Sequence, residues 1–336
     1  MASATTLSVP SQASAAQVAA GFGLSHAWTS FEPLAADPST LASATNSTQT
    51  FELLQQRWNA TGTTEATNAA WVADPFDGGN DAAVLRVAYP ADSRDGAQFS
   101  MAVLDRDAGV QTALLKYEVA FDSGFSWIRG GKLPGLYGAA PGASSLCSGG
   151  QHQSSCFSAR LMWRNRGAGE VYAYIPTYPG FCSQSDVTCN DDYGTSLSRG
   201  AWTFSRGSWT TITQLIALNT PGVANGLLYV WANDSLTLAH TGIPWRTNSS
   251  VALTSVFFST FFGGSDSSYN SEGGSSFFRR FEVYSSTQPS NTSGPAVEAT
   301  FDGTSSSSVD LLQPSPTSRL VPLALLVVGL LQLLSH

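Results

Sequence analysis

The sequence predicts an all-β sandwich or jelly roll. Short β-rich runs recur along the chain, Gly, Asn and Pro punctuate them at close spacing, and no long helical periodicity interrupts them. The runs, in order, are 82–88, 113–121, 158–164, 170–175, 209–218, 226–231, 255–261 and 277–284. In 158–164 (SARLMWR) and 170–175 (EVYAYI) polar or aromatic residues alternate with core-type residues, the pattern of a strand with one wet face. Asn165-Arg-Gly-Ala-Gly169 separates them and is rich in residues that tolerate positive φ, so the two form a hairpin. If the turn centres near Gly167, Arg160 lies opposite Tyr174 and Met162 opposite Tyr172, on one face with Ser158 and Arg164.

A chain of 336 residues with 42% hydrophobic residues can bury a large core. Charged residues make up only 12%, against roughly 25% in ordinary soluble domains. Ser, Thr, Asn, Gln and Gly must therefore build much of the surface, a profile that suits an extracellular protein. Net charge is −8, which disfavours nucleic acid and anionic membrane as general partners. A polyanion would need a local basic patch, and Arg129, Lys132, Arg160, Arg164 and Arg166 supply one.

The four cysteines, Cys147, Cys156, Cys182 and Cys189, lie in Gly/Ser-rich segments and read as two disulfides. Three connectivities are open, of which the local pairs Cys147–Cys156 and Cys182–Cys189 are favoured. His26, His152, His240 and His336 are scattered and no Cys-x-x-Cys occurs, so neither a metal site nor a cofactor is expected.

Residues 1–25 read as a small-residue leader or disordered N-terminus, without the basic start and apolar core of a secretory signal. One domain is expected over 26–284, then a Ser/Thr/Pro-rich stalk over 285–319. Residues 320–336 form a hydrophobic tail whose run Leu320–Leu334 is short for a membrane span. Small residues around Ser306, a polar spacer and that tail follow the order of a GPI-anchor signal, so attachment at the cell surface is expected. Sequons at Asn46, Asn59, Asn233, Asn248 and Asn291 fit secretion.

The hairpin face gathers groups suited to β-elimination from a uronate. That reaction needs the carboxylate neutralised, the proton on carbon 5 removed, and a proton given to the departing oxygen 4. Arg160 matches a carboxylate bidentately, and Tyr172 and Tyr174 can move protons. A free phenol titrates at about 10, and Arg160 and Lys132 nearby are expected to lower that value.

Gly130-Gly-Lys-Leu-Pro-Gly-Leu-Tyr-Gly138 resembles a motif of polysaccharide lyase family 14, the alginate lyase and glucuronate-polymer lyase family. The likeness continues through Cys156-Phe-Ser-Ala-Arg-Leu-Met-Trp-Arg164, Gly169-Glu-Val-Tyr-Ala-Tyr174, Leu218-Asn-Thr-Pro-Gly222 and Phe257-Phe-Ser-Thr-Phe-Phe-Gly-Gly-Ser-Asp266. It is most similar to the fungal branch and covers about residues 100–284. The resemblance implies a concanavalin-like jelly roll with a cleft across one sheet, and a catalytic set of Lys132, Ser158, Arg160, Tyr172 and Tyr174. Arg129, Tyr137 and Arg164 are expected to help bind substrate, an acidic polysaccharide, with the protein acting as a monomer. Lys132 or either tyrosine could be the base. Phe278-Arg-Arg280 departs from the family's more acidic stretch and is expected to alter substrate subsites.

Three rivals remain at this level, of which a purely structural cell-wall protein rests only on the tail and the Ser/Thr content. A sandwich glycoside hydrolase needs two carboxylates flanking the bond, commonly as Glu-x-Asp, and none of the eight glutamates has Asp two residues later. A non-catalytic carbohydrate-binding jelly roll could use Trp127, Tyr137, Trp163, Tyr178 and Tyr193 as stacking platforms, but would have no need of the paired phenols.

Overall fold

The computed structural model describes residues 9–30, 47–62, 67–76, 83–144 and 146–301. In chain order the elements are α1 (Ala15–Gly21), β1 (Ser25–Thr29), α2 (Ser47–Trp58), β2 (Ala60–Thr61), β3 (Ala69–Ala73), β4 (Ala83–Ala88), β5 (Ala97–Met101), β6 (Thr112–Phe121) and β7 (Gly131–Ala139). They continue with β8 (Cys156–Trp163), β9 (Ala168–Tyr174), β10 (Val187–Thr188), β11 (Thr195–Thr203), β12 (Thr210–Ala217), β13 (Gly226–Ala232), β14 (Ser235–Ile243), β15 (Ala252–Thr260) and β16 (Ser275–Ser286). Every predicted run is a strand, and together they build a jelly-roll sandwich. The back sheet runs β14-β13-β12-β6-β16-β4-β3, with β1 also on β16. The cleft sheet runs β10-β11-β9-β8-β7-β15-β5-β2.

Period-two alternation sets which residues face the space between the sheets. On β8 the core takes Phe157, Ala159, Leu161 and Trp163, so Ser158, Arg160 and Met162 point the other way. Around Trp163 the rings of Tyr89, Phe121, Phe125 and Phe262 pack edge-on at 5.3–5.7 Å between centroids. Each such buried ring contributes about 2–3 kcal/mol through apolar area removed from water. This packing fixes the strand that carries Arg160.

The Gly130–Gly138 motif is mostly strand, which its Gly and Pro content conceals. Pro134 lies where the pairing of β7 with β8 shifts register, between Leu133 and Gly135. The Tyr117 hydroxyl donates to the Pro134 carbonyl at 3.1 Å. Gly131 is required by packing: a Cβ there would come within 2.1 Å of the Trp163 ring. Beneath the same strand the buried Gln214 of β12 reaches across the core. It accepts from Leu136 N–H at 3.0 Å and donates to the Ala159 carbonyl at 2.8 Å.

The folded unit is longer than 26–284. Within the expected leader, Ser14 caps α1 in a reciprocal capping box with Gln17. Val18 and Ala19 bury against Leu215, Leu227 and Trp231 on the outer face of the back sheet. Within the expected stalk, Thr300 bridges Thr177, and Pro295 accepts from Ala224 N–H at 2.9 Å. Small and polar residues make these contacts largely through backbone groups, so composition does not display them. The rest of the stalk and the apolar tail fall in 302–336, outside the described residues. Among the described residues no helix is long and apolar enough to cross a membrane. The local disulfide pairs are the ones formed, Cys147–Cys156 and Cys182–Cys189.

Candidate active site

On the outer face of the cleft sheet, β8 and β9 pair with Ser158 opposite Tyr174, Arg160 opposite Tyr172 and Met162 opposite Glu170. This corrects the expected register by two residues. The turn is a 3-10 turn over Asn165–Gly167 centred on Arg166, which takes φ 61°, rather than on Gly167. A two-residue slip keeps every side chain on its face, so the predicted set still comes together. Lys132 joins it from β7, opposite Met162. Lys132, Arg160, Arg164, Tyr172 and Tyr174 line one cleft of about 410 Å³, whose rim includes Asn190, Tyr193 and Tyr269.

Two buried cations dominate its floor. Arg160 is 1% exposed; its Nη1 donates to Ser259 Oγ at 3.0 Å, while its Nε has no hydrogen-bond partner. Its guanidinium carbon stands 4.9 Å from the Phe257 ring centre and 5.9 Å from that of Tyr174. Lys132 Nζ lies 4.1 Å from the Tyr172 ring centre and 3.1 Å from Met162 Sδ. Among the described residues neither cation is paired with a carboxylate.

Burial pushes the Lys132 amine well below its usual range, and Arg160 and Arg164 push it the same way, against Glu170. Burial also lowers the Arg160 guanidinium to about 10, so it stays charged at neutral pH. The Tyr172 phenol is pushed up to about 12, chiefly by burial and then by Tyr174. The expectation of a lowered phenol is therefore corrected for Tyr172: desolvation outweighs Arg164 and the Gly194 N–H, both of which act downward.

Each phenol oxygen is held by a backbone N–H from a loop beside a disulfide. Gly150 N–H, in the loop closed by Cys147–Cys156, donates to the Tyr174 oxygen at 3.1 Å. Gly194 N–H, five residues beyond Cys182–Cys189, donates to the Tyr172 oxygen at 3.0 Å. With that acceptor direction occupied, each hydroxyl keeps its own proton to donate elsewhere. A Cβ on Gly194 would come within 2.8 Å of the Tyr172 ring and 2.9 Å of the Tyr174 ring.

The remaining predicted residues divide. Ser158 is fully buried, donates to the Cys147 carbonyl at 2.6 Å and does not line the cleft. Tyr137 also lies outside the lining; it packs edge-on to Phe257 beside the Cys147–Cys156 disulfide, and burial raises its phenol to about 12. Arg129 is exposed at the rim, its guanidinium 5.2 Å from the Tyr269 ring centre. Arg164 is spent on Glu170, which it meets at 2.6 Å.

Glu170 was missed as a site residue. It is fully buried and also accepts from Arg199 Nε and Ser196 Oγ, each at 2.7 Å. Its place in the Gly169–Tyr174 motif, facing the same way as Tyr172, was the available signal. Gly150 and Gly194 act through backbone groups and left no signal in residue type. Arg279 and Arg280 do not reach the cleft. They lie on β16 of the back sheet, where Arg279 meets Asp74 and Glu118 and stacks on Trp209, and Arg280 meets Glu118.

The family model for Polysaccharide lyase 14 matches residues 78–281. The marine PL-14 alginate lyase from Aplysia kurodai is 31% identical in a solved structure, with a TM-score of 0.66; the match covers 78% of this chain and all of that one. The alginate lyase vAL-1 from a Chlorella virus shares the fold at 23% identity and a TM-score of 0.52, over 70% of this chain and 97% of that one. Exolysin of Paramecium bursaria Chlorella virus 1 is 26% identical over 171 residues, 46% of this chain. The chain spans about a quarter of that curated relative's length, 26%. With more than half of its length matched by the family model, and an Aplysia relative matched end to end, this chain is a polysaccharide lyase belonging to polysaccharide lyase family 14.

Proposed function

We propose that this lyase cleaves a uronic-acid polymer, alginate or glucuronan, by β-elimination without a metal ion. The observation that carries the reading is Arg160, a buried guanidinium with an unpartnered Nε, no carboxylate partner among the described residues, and two phenols beside it. A buried cation in that state lacks a counter-ion, and a uronate carboxylate would supply one. Neutralising the carboxylate stabilises the enolate-like charge that develops when carbon 5 loses its proton. Arg160 occupies the place where a divalent cation would otherwise act, and its charge disfavours one there.

The proton work is divided between the amine and the phenols. Lys132, displaced toward its neutral form, takes the proton from carbon 5. Tyr172, held protonated, and Tyr174 beside it give one to oxygen 4. The C5–H electron pair becomes the C4–C5 double bond, the C4–O bond breaks, and the departing oxygen leaves as a hydroxyl. Ser158 and the Gly150 and Gly194 N–H groups position the phenols and the loop over them. Because the Aplysia relative is an alginate lyase, alginate is the first substrate to test.

Two disulfides and four exposed sequon asparagines, Asn59, Asn233, Asn248 and Asn291, support an extracellular, glycosylated protein. Attachment through a GPI anchor at the tail belongs to the same reading.

The test is ultraviolet absorbance of the unsaturated uronate, with alginate, polymannuronate, polyguluronate and glucuronan in EDTA. Absorbance should rise on at least one polymer and be lost in Tyr174→Phe. Tight binding with no absorbance on any polymer would instead make the protein a carbohydrate binder.

A further inference from the structure

Beyond the cleft, at the strand ends of the same sheet, lies a second hollow of about 690 Å³. Arg129, Arg166 and Arg206 line it, with Trp127 in its wall and the Arg206 guanidinium 5.8 Å from that ring's centre. All three arginines are exposed, and among the described residues none forms a direct ion pair, although Arg129 lies near enough to the exposed Asp266 to help lower its carboxyl. Such a cluster is not the default for a chain carrying 24 acidic against 16 basic residues.

Backbone conformation adds an independent observation. Arg129 takes φ 39° and Arg166 φ 61°, in the left-handed region where glycine or asparagine is the ordinary occupant. Arg280 takes φ 56° as well, and there its guanidinium holds Glu118; an arginine in this conformation without such an ion pair leaves its charge available to an anion.

The hollow also adjoins the cleft on two sides. Arg166 follows Arg164 of the cleft by two residues, and Arg129 stands over Tyr269 of its rim. We infer that this hollow is an accessory binding site for a carboxylated sugar unit of the same acidic polymer, engaging the chain where it leaves the cleft between Arg164 and Tyr269. Guanidinium groups match carboxylates by paired hydrogen bonds, and Trp127 with Arg206 offers a platform for a sugar face. The inference rests on the lyase reading and extends it to long polymer, whose additional units can occupy the hollow while the cleft is filled.

The test compares the KM for long polyuronate with that for a uronate trisaccharide, in wild type, Arg166→Glu/Arg206→Glu and Arg166→Gly. The charge-reversed double variant should raise the polymer-to-trisaccharide KM ratio by about five-fold or more, in line with the loss of one or two exposed ion pairs. Arg166→Gly should raise the ratio in the same direction while holding or raising the melting temperature, because glycine relieves the left-handed backbone. An unchanged ratio in both variants, with cleavage of both substrates intact, overturns the accessory site and leaves the lyase reading standing. Loss of binding to an oligonucleotide or to heparin with no change in the ratio overturns it in favour of another polyanion. Absence of cleavage in wild type on every polyuronate would be the failure of the lyase reading itself. In that case affinity electrophoresis through gels containing alginate or glucuronan still decides the hollow: it is overturned if the variants migrate like wild type.

Discussion

The backbone N–H of Gly194 donates to the Tyr172 phenol oxygen at 3.0 Å, and the glycine fits there only because it has no Cβ. Its neighbours are the two rings that face the cleft, so the loop after the second disulfide packs directly on the proton-transfer groups. Side-chain chemistry and loop backbone are parts of one arrangement.

Gly194→Ala should therefore disable the enzyme without unfolding it. The new methyl group meets both rings at under 3 Å and must displace them. A misplacement of that size costs about 10²-fold in rate. Steady-state kinetics should show the loss mainly in kcat, with far-ultraviolet circular dichroism unchanged. Wild-type kcat in the variant would show that the ring placement enforced by Gly194 does not set the rate.

Lys132→Met should abolish activity and stabilise the fold. The folded-state pKa of Lys132 lies below its unfolded value near 10.5, so the folded protein binds this proton less readily than the unfolded chain does. The resulting penalty is fully present at pH below the folded pKa. It fades as pH rises through that value and is gone above about 10.5. Met also removes repulsion with Arg160 and Arg164. The melting temperature should rise by about 2–4 °C per kcal/mol relieved. The gain should be largest at mildly acidic pH and should shrink in alkaline buffer. Scanning calorimetry across pH checks both sign and trend.

Gln214→Leu tests the floor of the cleft. Gln214 comes from the back sheet and occupies a backbone donor and acceptor on either side of the β7–β8 pairing. Leucine leaves Leu136 N–H and the Ala159 carbonyl without that partner in a dry core. The expected cost is about 2–4 kcal/mol. Urea denaturation should show a lower midpoint at unchanged slope.

What the sequence made legible follows from where chemistry is written in side chains. Arg160, Tyr172 and Tyr174 were readable because strand alternation places them on one face whatever the exact register. That is why centring the turn on Gly167 instead of Arg166 did no harm to the set. Lys132 was visible as one of a basic cluster, but its catalytic role came only through its motif, since Gly130–Gly138 has too much Gly and Pro to read as a strand. The sign of the Tyr172 shift was not legible, because it depends on burial, and nearness to cations alone points the wrong way. Gly150, Gly194 and Gln214 act by backbone contact or across the sandwich, at sequence separations of 24, 22 and 55–78 residues, and no local pattern marks them.

Glu170→Gln distinguishes Lys132 from the phenols as the titrating base. Glu170 is buried and raises the Lys132 pKa against burial and the two arginines. Removing its charge should lower that pKa further. If neutral Lys132 accepts the proton, kcat/KM rises with pH through the Lys132 pKa, and this limb should move to lower pH in the variant. The same charge acts in the same direction on Tyr172, raising its phenol, so a Tyr172 base would also shift acidward, but from a limb near 12. The starting position of the limb separates the two: well below 10.5 for the amine, near 12 for the phenol. Breaking a buried charge cluster costs about 3–5 kcal/mol, so the profile must be measured at a temperature where the variant is folded. A limb that starts below 10.5 and moves acidward assigns the base to Lys132. A limb that does not move, with folding verified by circular dichroism, takes that role away from it.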